Sequence, residues 1–265
     1  MTAPRVVATD LDGTLLRSDG AVSDYSREIL SAVTEAGITV ILVTARPPRW
    51  MDGLADLGIH GLALCGNGAF TYDLDRREIV AHRLLPTDEL AIMLSDLRHA
   101  IPGIHLATEG LEGLAREHAY HGDLLAGDAW QVCDVEDLAS RPVGKILVRH
   151  EAIQTEELTA LVAQVVGSRA EVTHSGAIRL AEIAPPGVSK AVALAQWAAE
   201  QEPAVEAEEV WAFGDMPNDL DMLTWAGRSF AVANAHPEVL AAVTDHIPAN
   251  DDDGVARTLA TLLLG

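Results

Sequence analysis

Lysine is almost missing from this chain. Of its 18 basic residues only Lys145 and Lys190 are lysines; the rest are arginine. A planar guanidinium fork and a compact ammonium are not interchangeable. Where arginine serves nearly everywhere, the two lysines mark places that call for a point charge. Cysteine is as scarce. Cys65 and Cys133 cannot build a disulfide framework, and free thiols in a reducing cytoplasm are expected. Aromatic residues make up 4% of the chain against a hydrophobic share of 49%, so the core of a soluble, aliphatic-rich protein is expected. No apolar run reaches the ~18 residues of a membrane span. The first apolar strand begins within a few residues of Met1, so no signal peptide is expected and the protein is expected to be cytoplasmic. Internal repeats and low-complexity tracts are absent.

Positive charge is outnumbered as well. Forty acidic residues leave a net charge of −22, which disfavours a nucleic-acid partner and makes any anionic substrate dependent on local positive charge or bound metal. Most of this charge reads as a solvated acidic surface. The histidines His99, His105, His118, His121 and His174 show no zinc-binding spacing and read as ordinary surface or core residues.

At 265 residues the chain fits one large or two moderate domains. Strands and helices alternate over the first 82 residues. Val6–Thr9 reads as a strand and Ser23 to Ala36 as a helix, with Ser23 as N-cap and Gly37 after its end. Ile38–Val43 reads as a strand buried on both faces, Pro47 to Leu57 as a helix closed by Gly58, and Gly61–Cys65 as a third strand. Phe70–Tyr72 and Glu78–His82 read as a hairpin. Such alternation predicts a parallel sheet. From Arg83 the pattern changes: a helix Thr87–His99, short glycine-punctuated pieces from Gly103 to Trp130, a strand Lys145–His150, a helix Thr155–Val166, and strands Ala170–His174 and Ile178–Ile183. This predicts an inserted α+β domain with an antiparallel sheet, ended by Pro185-Pro186-Gly187. Helix Val188–Glu200, strand Glu209–Phe213, helix Asn218–Trp225, strand Ser229–Val232, helix Pro237–Ala242 and helix Asp252–Leu264 then resume the α/β pattern. The expected division is a discontinuous α/β core of residues 1–82 and 185–265, with residues 83–184 inserted.

The segment Val6-Val7-Ala8-Thr9-Asp10-Leu11-Asp12-Gly13-Thr14-Leu15 runs an apolar strand into two aspartates. Carboxylates at a strand's C-terminal tip sit where open α/β sheets bind ligands. Crowded together they repel unless a cation lies between them, so a divalent-metal site is expected, with one carboxylate left to attack or to carry protons. Thr44, after the second apolar strand, offers a hydroxyl to a phosphate oxygen, and Arg46 a guanidinium fork. Asn67 lies in Gly66-Asn67-Gly68 after the third strand. Lys190 lies at a helix start, where an ammonium is misplaced unless a negative group compensates. In Gly214-Asp215-Met216-Pro217-Asn218-Asp219, the two aspartates stand at i and i+4, one above the other at a helix start.

D-x-D-G-T-L at Asp10, T-x-R at Thr44, the lysine at 190 and G-D-x-x-N-D at Gly214, in this order, resemble the motifs of the haloacid dehalogenase-like phosphatases. The glycine common in the second motif is replaced by Ala45. The insertion of about 100 residues resembles the type IIB cap of the Cof-like subgroup. The resemblance implies a Rossmann-like parallel-sheet core with an α/β cap, at residues 83–184, that closes over the substrate and sets specificity. It further implies an aspartyl-phosphate formed on Asp10, Asp12 as general acid/base, and Mg²⁺ held by Asp10, the Asp12 carbonyl and Asp215. Thr44 and Lys190 would bind the phosphoryl group and Asn218 the phosphate or a metal-bound water. Asp219 would orient metal water or Lys190, Asn234 would support this loop, and Asn67 would face the site. Lys145, the other lysine, is the expected cap-borne substrate contact, with Tyr120 and Trp130 as candidate pocket walls. The expected substrate is a small phosphorylated metabolite of the sugar-phosphate class, with neither nucleic acid nor membrane as partner. A phosphohexomutase and a non-catalytic sugar-phosphate sensor are the alternatives, the second disfavoured because a sensor needs no nucleophile. The motifs are silent on oligomeric state.

Overall fold

The computed structural model describes residues 3–56, 59–121 and 130–264. Its chain divides into two compact units, Met1–Val80 with Ser189–Gly265 and Ala81–Val188, limits that lie a few residues from those expected.

The first unit opens with β1 (Val6–Thr9), α1 (Asp24–Glu35), β2 (Thr39–Val43), α2 (Asp52–Asp56), β3 (Leu62–Cys65), β4 (Phe70–Asp73) and β5 (Glu78–His82). The Ser23 side chain accepts from the Ser26 N–H and fixes the start of α1. The expected helix from Pro47 is broken into a 3₁₀ turn (Pro48–Trp50) and α2. Its expected end at Leu57 and Gly58 lies outside the described residues.

The second unit contains α3 (Thr87–Ala100), β6 (Ile104–Gly110), β7 (Gly113–Glu117), β8 (Trp130–Cys133), α4 (Val135–Leu138), β9 (Lys145–His150), α5 (Thr155–Val166), β10 (Glu171–Thr173) and β11 (Leu180–Ala184). Its six strands form one sheet in the order β10-β11-β9-β6-β7-β8. Pairing is antiparallel except between β7 and β8. Leu106, Ile146, Val148, Ala181 and Ile183 share a core with Leu94 and Leu97 of α3 and Leu158 and Val162 of α5. Each such fully buried aliphatic side chain contributes about 1.5–3 kcal/mol. The region from Gly103 to Trp130, expected as short pieces, therefore contributes two regular strands, β6 and β7, and the first residue of β8.

The chain returns to the first unit with α6 (Lys190–Ala199), β12 (Val210–Gly214), α7 (Leu220–Trp225), β13 (Arg228–Val232), α8 (Pro237–Ala242), β14 (Asp245–Ile247) and α9 (Gly254–Leu259). Eight strands order as β14-β13-β12-β1-β2-β3-β4-β5. β1 lies between β12 and β2, parallel to both, and all four of its residues are buried. Val7, Ile41, Ala63 and Phe213 are wholly enclosed, as expected when helices cover both faces of a parallel sheet. Because β1, β2, β3 and β12 run in one direction, their C-terminal tips bring together Asp10, Thr44, Asn67 and Asp215.

Candidate active site

The Asp10 N–H donates to the Phe213 carbonyl at 3.0 Å, which extends the β1–β12 ladder to the point where the first carboxylate emerges. Gly13 then turns the chain with φ +79°, and a Cβ there would lie 2.4 Å from Asp215 Oδ2. Only glycine lets the two acidic loops approach this closely. Gly214 serves the other loop in the same way: a Cβ would lie 2.7 Å from the Asp219 Cβ.

Lys190, at the first turn of α6, is 1% exposed. Its Nζ donates to Asp10 Oδ1 at 2.5 Å and to Asp219 Oδ1 at 2.6 Å. The second Asp219 oxygen accepts from the N–H groups of Asp215 and Met216, both at 3.0 Å. Asp219 is therefore saturated by an ammonium and two amides, and its geometry is that of an orienting group. Burial is the largest influence on Lys190 and opposes its charge. Asp10 and Asp219 together outweigh it and hold the group above the usual lysine range. The misplaced ammonium thus has its compensating carboxylates. Burial raises Asp10 well above the usual carboxyl range; Lys190 pulls it down, and Asp219 and Asp215 push it further up.

Asp215 Oδ1 accepts from the Thr14 hydroxyl at 2.8 Å. Thr14 was not singled out from the sequence, although it stands inside the D-L-D-G-T segment. Burial, and then the charge of Asp219, push the Asp215 carboxyl up to about 7.

Asp12 departs from the expected cluster. Its carboxylate is not among the three that converge; instead Arg46 Nε and an Arg46 terminal nitrogen donate to its two oxygens at 2.7 and 2.6 Å. The reason is direction. One residue separates Asp10 from Asp12, but the chain has already left the strand at Leu11, and Asp12 turns toward the tip of β2. Thr44 Oγ accepts from the Arg46 N–H at 3.0 Å, which leaves the hydroxyl's proton available to donate. Asn218 Nδ2 donates to Asn67 Oδ1 at 3.1 Å. Asn234 Nδ2 donates to the Gly13 carbonyl at 2.7 Å while its Oδ1 accepts from the Asn250 N–H, so it ties the loop after β13 to the loop after β1. Lys145 lies in the second unit, 5% exposed, paired at 2.9 Å with the buried Glu182.

The donor set fits a hard divalent cation. Asp10, Asp215 and Asp219 bring oxygens within 4.8 Å of one another, and since those of Asp219 are already taken by Lys190 and two amides, Asp10 and Asp215 are the carboxylates left to hold the ion. Three buried carboxylates face one ammonium, which leaves a double negative charge for Mg²⁺ to neutralise. The raised Asp215 reports the same deficit of positive charge. Asn218 Oδ1 is buried with no hydrogen-bond partner, an acceptor suited to a metal-bound water.

Residues 7–259 match the haloacid dehalogenase-like hydrolase family. The chain belongs to that family, and it is accordingly a hydrolase. Among similar proteins is the HMP-PP phosphatase of Klebsiella pneumoniae (strain 342), 28% identical over 240 residues that cover 89% of this chain and 87% of that protein. The fold is shared with SMU.1108c from Streptococcus mutans UA159, at a TM-score of 0.87, 22% identity, and coverage of 99% of this chain and 100% of that one. It is shared equally with the HAD subclass IIB sugar phosphatase BT4131, at a TM-score of 0.82, 19% identity, and coverage of 97% and 98%.

Proposed function

We propose that the protein is a Mg²⁺-dependent phosphomonoester hydrolase acting through an aspartyl-phosphate on Asp10. The observation that carries this reading is the buried Asp10–Lys190–Asp219 chain beside Asp215, at the tips of β1 and β12. A nucleophilic carboxylate must approach a phosphoryl group of its own charge. Lys190 holds one Asp10 oxygen and offsets that repulsion, and the Thr44 hydroxyl donates to a phosphoryl oxygen. The Asp10 oxygen forms the new bond to phosphorus as the bond to the leaving oxygen breaks. Asp12, once one of its oxygens is released from Arg46 and protonated, gives the leaving oxygen that proton, then takes one from the water that hydrolyses the aspartyl-phosphate, and Asp10 is regenerated with release of phosphate. Asp10, Asp215 and the Asp12 carbonyl would hold Mg²⁺, which supplies charge neutralisation of the phosphoryl oxygens.

The substrate is a small phosphorylated metabolite. A sugar phosphate is favoured by the likeness of fold to a sugar phosphatase, and the name of the Klebsiella relative makes HMP-PP the comparison compound. Specificity belongs to the inserted unit, and a cytoplasmic location suits such a substrate. The test is phosphate release from a panel of sugar and nucleotide monophosphates and HMP-PP, with Mg²⁺ or EDTA, for wild type and Asp10→Asn. Mg²⁺-dependent turnover that falls at least ~10³-fold in the variant is expected. No release from any compound would sink the reading and turn attention to hexose 1-phosphates with a bisphosphate activator.

A further inference from the structure

Asn67 and Asn218 lie 151 positions apart in sequence yet share one amide–amide hydrogen bond, with Asn218 Nδ2 donating to Asn67 Oδ1 at 3.1 Å. The backbone around Asn67 is fixed from two sides. Gly66, Asn67 and Gly68 all have positive φ, at 59°, 58° and 101°. Gly68 lies so close to α6 that a Cβ there would stand 2.5 Å from the Ala193 Cβ, and the Asn67 N–H donates to the Thr44 carbonyl at 2.9 Å. A non-glycine residue in the left-handed region costs on the order of 1 kcal/mol or more, and asparagine is among the few that bear it. Asn67 is itself 4% exposed, so its side chain is held as firmly as its backbone.

The opposite end of the Asn218 amide is the unusual one. Oδ1 is buried without a partner, a state that costs about 1–3 kcal/mol. It belongs to the loop between Asp215 and Asp219. With Nδ2 donating to Asn67 Oδ1, the end of the Asn218 amide left over is an acceptor. A carbonyl oxygen repels phosphoryl oxygens, so this atom does not suit a phosphate contact; it suits a hydrogen-bond donor.

We propose that Asn67 is a positioning residue that acts through Asn218, holding Asn218 Oδ1 to accept a hydrogen bond from a water on the divalent cation that Asp10 and Asp215 would hold. The inference rests on the proposed function for the identity of that cation, and it assigns neither asparagine to the phosphoryl group.

The experiment is calorimetric titration of Mg²⁺ into the metal-free full chain without substrate, so that its outcome is separate from the phosphatase assay. Asn67→Gly keeps the left-handed backbone accessible and removes only the amide; Asn218→Ala removes the acceptor. Each should weaken Mg²⁺ binding by about tenfold or more, as loss of a partner to a metal-bound group does. The double variant should bind no more weakly than Asn218→Ala alone, because the first residue acts only through the second. Wild-type affinity in Asn218→Ala, or fully additive losses in the double variant, would overturn the proposal. Should Asn67→Gly fold poorly, Asn67→Asp tolerates the same backbone and keeps an acceptor for Asn218 Nδ2. It is expected to bind Mg²⁺ at least as tightly as wild type, and weaker binding would equally overturn the assignment.

Discussion

Arg46 shows how much a single side chain's direction matters. Its position in Thr44-Ala45-Arg46 suggested a fork for phosphate, yet the fork closes on Asp12, the proposed general acid/base. A guanidinium that grips both oxygens fixes where that carboxylate sits. Arg46→Ala should lower kcat/KM by about 10- to 100-fold, the scale of a charge-assisted pair, and Arg46→Lys should recover little because an ammonium cannot grip two oxygens at once. Steady-state kinetics on the best substrate checks both, and full recovery by lysine would remove the fork from the argument. Lys190→Ala strands two buried carboxylates against each other. Activity should vanish and the metal-free protein should lose about 3–5 kcal/mol in urea melts. At this scale the sequence was a good guide to identity and a poor one to orientation. Asp10, Lys190, Asp215 and Asp219 converge, and each could be picked out by motif. That Asp12 turns away, and that Thr14 steadies Asp215, depends on turns too local for spacing to describe.

Elements were legible where periodicity was clean. β1, β9, α5 and α8 have the limits expected from their apolar patterns. The strands β6 and β7 were not, because one face of their sheet carries charge: Glu109 and Arg116 occupy positions where a buried strand would ordinarily show aliphatic residues. The ion pair Lys145–Glu182 belongs to that same face, on the inner strand β9 and its neighbour β11. β9 has strands on both sides, so Lys145 is not a charge at a sheet edge. Lys145→Ala should destabilise the protein by about 3–5 kcal/mol by taking the ammonium from the buried Glu182 and from Glu109, its cross-strand neighbour, whereas Lys145→Met with Glu182→Leu should recover only part of that loss because the buried Glu109 remains. Chemical denaturation of the three proteins decides it; equal losses in the single and double variants would argue that the pair has other obligatory partners.

For the whole molecule, the concentration of acid at one sheet edge couples stability to pH and to cations. An aspartate raised to about 7 on folding, from about 3.9 in an open chain, favours the fold below pH 4 and loses that contribution as pH rises through 7. Without metal, melting temperature should fall between pH 5.5 and 8 by more in wild type than in Asp215→Asn. Mg²⁺ should raise it more at pH 8, where the carboxylate is already bare, than at pH 5.5, where a proton must leave. An Mg²⁺ increment independent of pH would contradict the raised Asp215. The order of segments, α/β then an α+β insertion then α/β, could be read from the sequence because strand and helix periods differ. How one strand joins the next sheet neighbour could not, since parallel ladders are set by contacts between distant residues.

Both lysines are shut inside the protein, Lys190 at 1% and Lys145 at 5% exposure, and the chain has no third. Its surface therefore offers acylating reagents no ε-amine. An N-hydroxysuccinimide ester should leave both ε-amines of the folded chain untouched, and each adduct on Lys145 or Lys190 seen by mass spectrometry would count a molecule that had opened.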